Sequence, residues 1–273
     1  MISDPGSAGS PRHDKIVVLA LVVLVSALAW AFTVHQAMRM DEMEAAMWRD
    51  MNMSMNDMEP SWMPVDALLM VAMWSAMMAA MMVPGASPMI TAFATINRRR
   101  RERSAPYVPT AVFLLGYLIA WTGFSTLATT LQYLLQMTGL LTTMMQSTSH
   151  YWSAALFFSA GLYQFSPLKE TCLTYCRSPD GFILSEWRDG NLGAVIMGLR
   201  HGLFCLGCCA GLMVLLFAVA VMDLRWVAAL TGMVATEKLL PRPGFWRIAI
   251  GVGLLAAGCL TWLWAEGLPH RAS

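Results

Sequence analysis

Apolar runs long enough to cross a lipid bilayer recur along this 273-residue chain. A transmembrane helix needs about 20 apolar residues. We count seven candidate spans, of which the fourth and sixth are the shortest: 16–34, 65–83, 108–136, 151–165, 192–222, 226–240 and 246–264. The sequence therefore predicts an all-α fold, a polytopic transmembrane helical bundle with seven spans.

The composition agrees with a chain that lies mostly in lipid. Only 13% of its residues are charged, whereas about 25% are charged in an average soluble domain. Such a chain cannot cover a water-facing surface, so we expect the lipid bilayer to be its main partner. A formal net charge of +1 does not favour nucleic acid. The sequence contains neither a phosphate-binding glycine loop nor a dinucleotide fingerprint, so we do not expect a nucleotide as a partner.

The placement of charge predicts the orientation in the membrane. Cytoplasmic loops of membrane proteins carry an excess of Lys and Arg. Basic residues follow the second, fourth and sixth runs here, namely Arg98 to Arg101, Arg103, Lys169, Arg177, Arg188, Lys238, Arg242 and Arg247. The segment after the first run is acidic, and the loop after the third run is uncharged. This pattern predicts a cytoplasmic N-terminus and an extracytoplasmic C-terminus.

We divide the chain into four parts. Residues 1–14 are predicted to be a disordered cytoplasmic tail. Residues 15–64 contain the first span and a Met-rich, acidic extracytoplasmic segment, which could continue the first helix beyond the membrane. Residues 65–265 form the transmembrane bundle with a Cys/His motif, and residues 266–273 form a short extracytoplasmic tail.

Two local patterns refine this division. The dipeptide Pro84-Gly85, with Pro88 close behind, is expected to end or kink the second helix, because proline lacks a backbone N–H and clashes with the preceding turn. Residues 169–191 are expected to be an amphipathic cytoplasmic segment at the membrane interface.

Methionine is concentrated in two stretches. Of 24 methionines, nine lie between Met38 and Met63 and seven between Met70 and Met89. Spacings of three and four place two sets on single helical faces, namely Met40, Met43, Met47 and Met51 in the outer segment and Met70, Met73, Met77 and Met81, with Met78 and Met82 beside them, in the second span. Thioether sulfur suits Cu(I) or another soft metal. Methionine also fills gaps between packed helices, so packing remains an alternative for the second-span set.

A second cluster combines one histidine with three cysteines. His201, Cys205, Cys208 and Cys209 are separated by four, three and one residues, so all four side chains fall on one face of a helix. Thiolate and imidazole are ligands of soft and borderline metals. Arg200 could lower the pKa of these thiols. The alternative is that small residues here only permit close helix packing.

A third pair of thiols lies in the amphipathic segment. Cys172 and Cys176 are one helical turn apart, and they could join the second cluster if this segment folds back onto it. Cys259 stands alone in the last run and is expected to have a packing role. Glu237 is expected to pair with Lys238 or Arg242.

Several runs together resemble one family: Met73-Trp-Ser-Ala-Met-Met-Ala-Ala-Met-Met-Val-Pro84, Gly161-Leu-Tyr-Gln-Phe-Ser-Pro-Leu-Lys169, Cys172-Leu-Thr-Tyr-Cys-Arg-Ser-Pro179, Gly198-Leu-Arg-His-Gly-Leu-Phe-Cys-Leu-Gly-Cys-Cys209 and Glu237-Lys238. The chain is similar to domain-of-unknown-function family 2182, predicted metal-binding integral membrane proteins of bacteria. The resemblance implies a multi-pass protein of the bacterial cytoplasmic (inner) membrane. It also implies a role in metal binding for Met77, Met78, Met81, Met82, Cys172, Cys176, His201, Cys205, Cys208, Cys209 and Glu237.

These patterns lead to one main functional hypothesis and two alternatives. The main hypothesis is a protein that binds Cu(I) and transfers or transports it between the outer Met-rich segment and the inner Cys/His site. One alternative is an assembly factor or subunit that delivers copper to a partner cuproenzyme, with a copper chaperone as another possible partner. The other is a membrane thiol oxidoreductase that uses the cysteine pairs. The sequence favours a metal-binding or transport protein over an enzyme.

Overall fold

The computed structural model describes residues 11–51, 62–102, 108–143 and 145–267, and this part of the chain is an α-helical bundle without a strand element. Its helices are α1 (Pro11–Met51), α2 (Pro64–Arg101), α3 (Thr110–Met137), α4 (His150–Gln164), α5 (Pro167–Arg177), α6 (Pro179–Glu186), α7 (Gly190–Val214), α8 (Leu216–Val219), α9 (Leu224–Leu239) and α10 (Pro243–Gly267). The predicted all-α class is confirmed. Most of the predicted N-terminal and C-terminal tails and residues 52–61 of the Met-rich segment lie outside the described residues.

Five of the described helical segments are long and apolar enough to cross a membrane: α1, α2, α3, α7 together with α8, and α10. The helices α4 and α9 have 15 and 16 residues. At about 1.5 Å per residue they are shorter than a bilayer core of about 30 Å. The seven-span count and the orientation therefore stay predictions.

Helix α2 does not end at its prolines. It continues through Pro84 and Pro88 to Arg101, so the expectation of a helix end there is wrong. Each proline removes one hydrogen bond of the helix, but the side chains around these positions are packed in the interior, as Val83 and Ala86 are almost fully buried. Tertiary packing outweighs the local cost.

Helix α1 is also longer than its apolar run. It continues as a helix to Met51, as the sequence analysis suggested for the residues after the first span. A helix of 41 residues is about 60 Å long, roughly twice the thickness of the bilayer core. Helix α1 is therefore longer than the hydrocarbon core of a bilayer is thick.

Glycines bring α3 and α7 into close contact at the centre of the bundle. A Cβ atom on Gly198 would lie 2.0 Å from the carbonyl oxygen of Phe113, and one on Gly116 would lie 2.1 Å from the carbonyl oxygen of Val195. No side chain fits at these distances. Small residues of this kind allow helix backbones to approach closely in membrane proteins, and here they fix α7 against α3.

The two ends of the bundle differ in charge. At one end Arg100 of α2 donates to Asp189, 2.6 Å away, and its guanidinium lies over the ring of Trp187, 4.8 Å from the ring centroid. At the other end Trp62 donates to Gln136, 2.9 Å away, and the acidic part of α1 lies beside the segment between α8 and α9. The basic C-terminal end of α2 and the segment before α7 thus lie at the same end of the bundle.

The contact between α3 and α7 can be tested with one alanine. Gly198→Ala should destabilise the protein by about 1–3 kcal/mol or more, because overpacking forces the backbones apart. Gly123→Ala on α3 is the matched control, since a Cβ there meets nothing within 4 Å. Chemical unfolding of the detergent-solubilised variants measures both effects. Equal stability of the two variants would contradict this packing.

Candidate metal centre

Helix α7 carries three cysteines whose sulfurs converge in the protein interior. The Sγ atoms of Cys205, Cys208 and Cys209 all lie within 4.8 Å of one another, and each of these residues is about 1% exposed. The Sγ atoms of Cys208 and Cys209 are 3.4 Å apart. The spacing of three and one residues produces this convergence, because it keeps the side chains on one side of the helix. The geometry is that of a compact three-sulfur centre.

Helix α5 folds back against this part of α7 and brings further sulfurs. The Sγ atom of Cys176 lies 3.7 Å from that of Cys208. Cys172 is buried, and a Cβ atom on Gly207 would lie 2.5 Å from its Sγ atom, so the glycine makes room for this thiol. Burial raises the pKa of the Cys172 thiol, which therefore keeps its proton at neutral pH unless a metal ion displaces it. This fold-back is the arrangement under which Cys172 and Cys176 were expected to join the site.

A buried lysine and a buried tyrosine contact the same sulfur. Lys238 Nζ donates to Cys205 Sγ, 2.8 Å away, and the hydroxyl of Tyr117 lies 3.1 Å from that sulfur. The hydroxyl also donates to the carbonyl oxygen of Met82, 3.2 Å away. The cation beside the thiols is thus Lys238. Arg200, which was expected in this role, forms an ion pair with Glu186 instead.

Lys238 matters because the site is buried. A metal ion bound by several thiolates forms an anionic complex, and an uncompensated charge in a protein interior is strongly unfavourable. An ammonium group in contact with Cys205 offsets part of that negative charge. Gly85 of α2 leaves the space for it, since a Cβ atom there would lie 3.2 Å from the Cδ atom of Lys238.

His201 lies one turn before Cys205 but is not part of the three-sulfur group. Its ring is 2% exposed and stacks on Tyr117 and Phe113, with ring centroids 5.6 and 6.2 Å away. Its Nδ1 atom is buried and has no hydrogen-bond partner among the described residues. A buried polar atom without a partner is unusual in a native protein, so this nitrogen is available to a ligand.

An ion pair holds α5 against α9 next to the sulfurs. Lys169 Nζ lies 2.7 Å from Glu237 Oε2, and the two side chains are 1% and 2% exposed. Glu237 was expected to pair with Lys238 or Arg242; it pairs with Lys169. Arg177 strengthens the same contact by donating to the backbone carbonyl oxygens of Glu237 and Leu240, 2.5 and 2.7 Å away. These carbonyls end α9 and would otherwise lack partners.

The methionines of the second span point into the bundle. Four of them are 0–1% exposed: Met77, Met78, Met81 and Met82. Met73 is also buried, and the half-buried Met70 accepts a hydrogen bond from Gln132 at its sulfur, 3.8 Å away. Tyr117 contacts the backbone carbonyl of Met82 and the sulfur of Cys205, so the backbone of α2 at Met82 lies near the cysteine centre. These positions are compatible with ligand roles and with packing roles.

The methionines of the outer segment differ in how exposed their side chains are. Met40 is half-buried against the core, whereas Met43 is 48% exposed. The side chains of Met47 and Met51 lie outside the described part of the chain. Cys259 of α10 is exposed, unlike the five other cysteines. Its sulfur takes no part in the three-sulfur group.

The fold and the site together define a class of protein: an α-helical protein with membrane-spanning character and a buried centre of several thiols. A family model, PpoB2, described as a copper chaperone, matches residues 71–261, which is more than half of the chain. The chain belongs to this PpoB2 copper chaperone family. No curated protein and no solved structure matches it.

The family match includes the cysteine centre and most of the α2 methionines, and it excludes α1. It agrees with the metal-binding membrane protein expected from the resemblance, although the family carries a different name. Family membership, the three cysteines and the apolar helices together fit a membrane copper-binding protein.

The buried ion pair provides a stability test. Lys169→Met should destabilise the protein by about 3–5 kcal/mol, because it leaves the Glu237 carboxylate buried without a counter-ion. Lys169→Met combined with Glu237→Leu should recover most of this loss, since no charge then remains. Glu102→Gln is the control, because it removes an exposed ion pair with Arg98 and should cost about 1 kcal/mol or less. Chemical unfolding in detergent measures all three, and equal losses from the single and double variants would refute the assignment.

Proposed function

We propose that this protein binds Cu(I) at Cys205, Cys208 and Cys209 and transfers it onward. The observation that carries the proposal is the convergence of three buried sulfurs in a member of a copper chaperone family. Thiolates are soft ligands that favour Cu(I). The contact of Lys238 with Cys205 supports an anionic thiolate complex, because it supplies a positive charge inside the site.

Cys176 and His201 are the proposed additional ligands. Cys176 lies close enough to Cys208 to take over an ion from the three-sulfur group with little movement. His201 contributes a buried nitrogen without a partner. Copper passes between sites most easily when its ligands are exchanged one at a time. Additional donor atoms close to the bound ion permit such an exchange. Cys172, at the edge of the group, is the remaining thiol on α5.

The methionines of α2 are proposed as the route to this centre. Met70, Met73, Met77, Met78, Met81 and Met82 supply neutral thioethers, which hold Cu(I) without first losing a proton. The hydroxyl of Tyr117 contacts the backbone carbonyl of Met82 and the sulfur of Cys205, which supports a position of this part of α2 near the thiols. The proposed direction runs from weaker thioether donors to stronger thiolate donors.

Metal analysis tests the cysteine centre. The full-length protein is loaded with Cu(I) under reducing conditions and dialysed, and its copper content is then measured. We expect the wild type and Cys259→Ser, whose changed residue is the exposed cysteine of α10, to retain copper. Cys205→Ser, Cys208→Ser and Cys209→Ser should each lose most of it. A wild type without copper, or a triple variant that retains all of it, would overturn the proposal.

Delivery to a partner cuproenzyme is the second candidate, and the description of the family as copper chaperones favours it. Copper uptake into proteoliposomes that contain only this protein separates the candidates. Uptake that depends on Cys205 supports transport across the membrane. Tight binding without uptake supports delivery to a partner.

A further inference from the structure

A group of methionines lines a cavity at the acidic end of the bundle. The cavity has a volume of about 430 Å³ and lies between the extended part of α1 and the segment that joins α8 to α9. Met38 and Met40 line it from α1, and Met222 lines it from the opposite side. We call it the outer cavity. None of its described lining residues is a cysteine or a histidine, so it is chemically distinct from the centre on α7.

Carboxylates surround these thioethers. Asp41 and Glu44 of α1 line the outer cavity, and neither forms an ion pair within the described residues. The third carboxylate, Asp223, is matched by Arg225, whose guanidinium donates to both of its oxygens at 3.1 and 2.8 Å. Hydrogen bonds from Arg225 hold the pKa of Asp223 below its usual value. Three carboxylates and one guanidinium leave a formal charge of −2 (−3 and +1), which attracts cations.

Packing explains only part of this arrangement. Met40 and Met222 are half-buried against the core. Met38 is 55% exposed, so its side chain fills no gap in the core. Asp41, Glu42 and Glu44 follow within six residues, and carboxylates at this density lie outside the hydrocarbon of a membrane. The three methionines therefore line a recess with a net negative charge, and packing does not explain the exposure of Met38.

We infer that the outer cavity is a capture site for a soft monovalent cation, held by the thioethers of Met38, Met40 and Met222 and attracted by the carboxylates of Asp41 and Glu44. This inference rests on the proposed function, under which the cation is Cu(I). Thioethers select a soft ion, and the carboxylates raise its local concentration. Because the donors are neutral, binding is weaker than at the thiolate centre, as capture followed by release requires.

Silver binding tests the inference, because Ag(I) is a soft monovalent ion that does not change its redox state in air. Equilibrium dialysis of the full-length protein should show a tighter class of sites and a weaker one. Met38→Leu, Met40→Leu and Met222→Leu combined should lower the number of silver ions bound in the weaker class, to which the unchanged methionines of α2 also contribute, and should keep the tighter class. Leucine conserves volume, and the retained tighter class shows that the variant is folded.

Met137→Leu is the matched control, because Met137 of α3 is exposed, belongs to neither predicted methionine set, and does not line the outer cavity. It should keep both classes. A number of weakly bound silver ions that is unchanged in the triple leucine variant, or that falls equally in Met137→Leu, would overturn the inference. So would a number that is unchanged in the leucine variant but falls in Asp41→Asn/Glu44→Gln, which would indicate a site for hard cations.

A third variant separates this inference from the proposed function. Cys205→Ser, Cys208→Ser and Cys209→Ser combined should remove the tighter class and keep the weaker one. If the tighter class is unaffected by these changes, the proposed cysteine centre fails. The effect of the leucine variant on the weaker class still decides the outer cavity by itself.

Discussion

The close approach of neighbouring helices to α7 is the constraint on which the rest of this structure depends. Glycines on α7 and α3 remove the side chains that would hold the two backbones apart, and Gly207 makes the same allowance for Cys172 of α5. Because of these contacts, the cysteine sulfurs of α7 lie next to the cysteine sulfur of α5 at Cys176. Wider spacing would separate Cys176 from Cys208 and move Tyr117 away from Cys205.

Charge inside the bundle is arranged around the same point. Among the residues whose burial is described, two lysines are buried, and each has its own partner: Lys169 pairs with Glu237, and Lys238 contacts Cys205. Glu237 and Lys238 are neighbours on α9, yet they point to different helices. The first joins α9 to α5, and the second reaches the thiol centre past Gly85 of α2. One short stretch of sequence thus serves both the position of α5 and the electrostatics of the sulfurs.

The sequence was sufficient for the helical class and for the face of α7 that carries the cysteines, because both follow from helical periodicity. It was not sufficient for contacts between helices far apart in the chain. Lys169 was counted as a loop charge, although it is among the most buried residues. Tyr117 gave no signal, since one aromatic residue in an apolar run is ordinary. Helix α2 continues through Pro84 and Pro88 because tertiary packing outweighs the cost of the lost helical hydrogen bonds. Hydrophobic periodicity does not report such packing.

X-ray absorption spectroscopy at the copper edge tests the central claim most directly, because it reports the atoms bonded to the metal. The account predicts that the Cu(I)-loaded protein has a first coordination shell of sulfur, and that Cys205→Ser lowers the number of sulfur ligands. A shell made of nitrogen and oxygen, or a sulfur shell unchanged when Cys205, Cys208 and Cys209 are all replaced by serine, would contradict it.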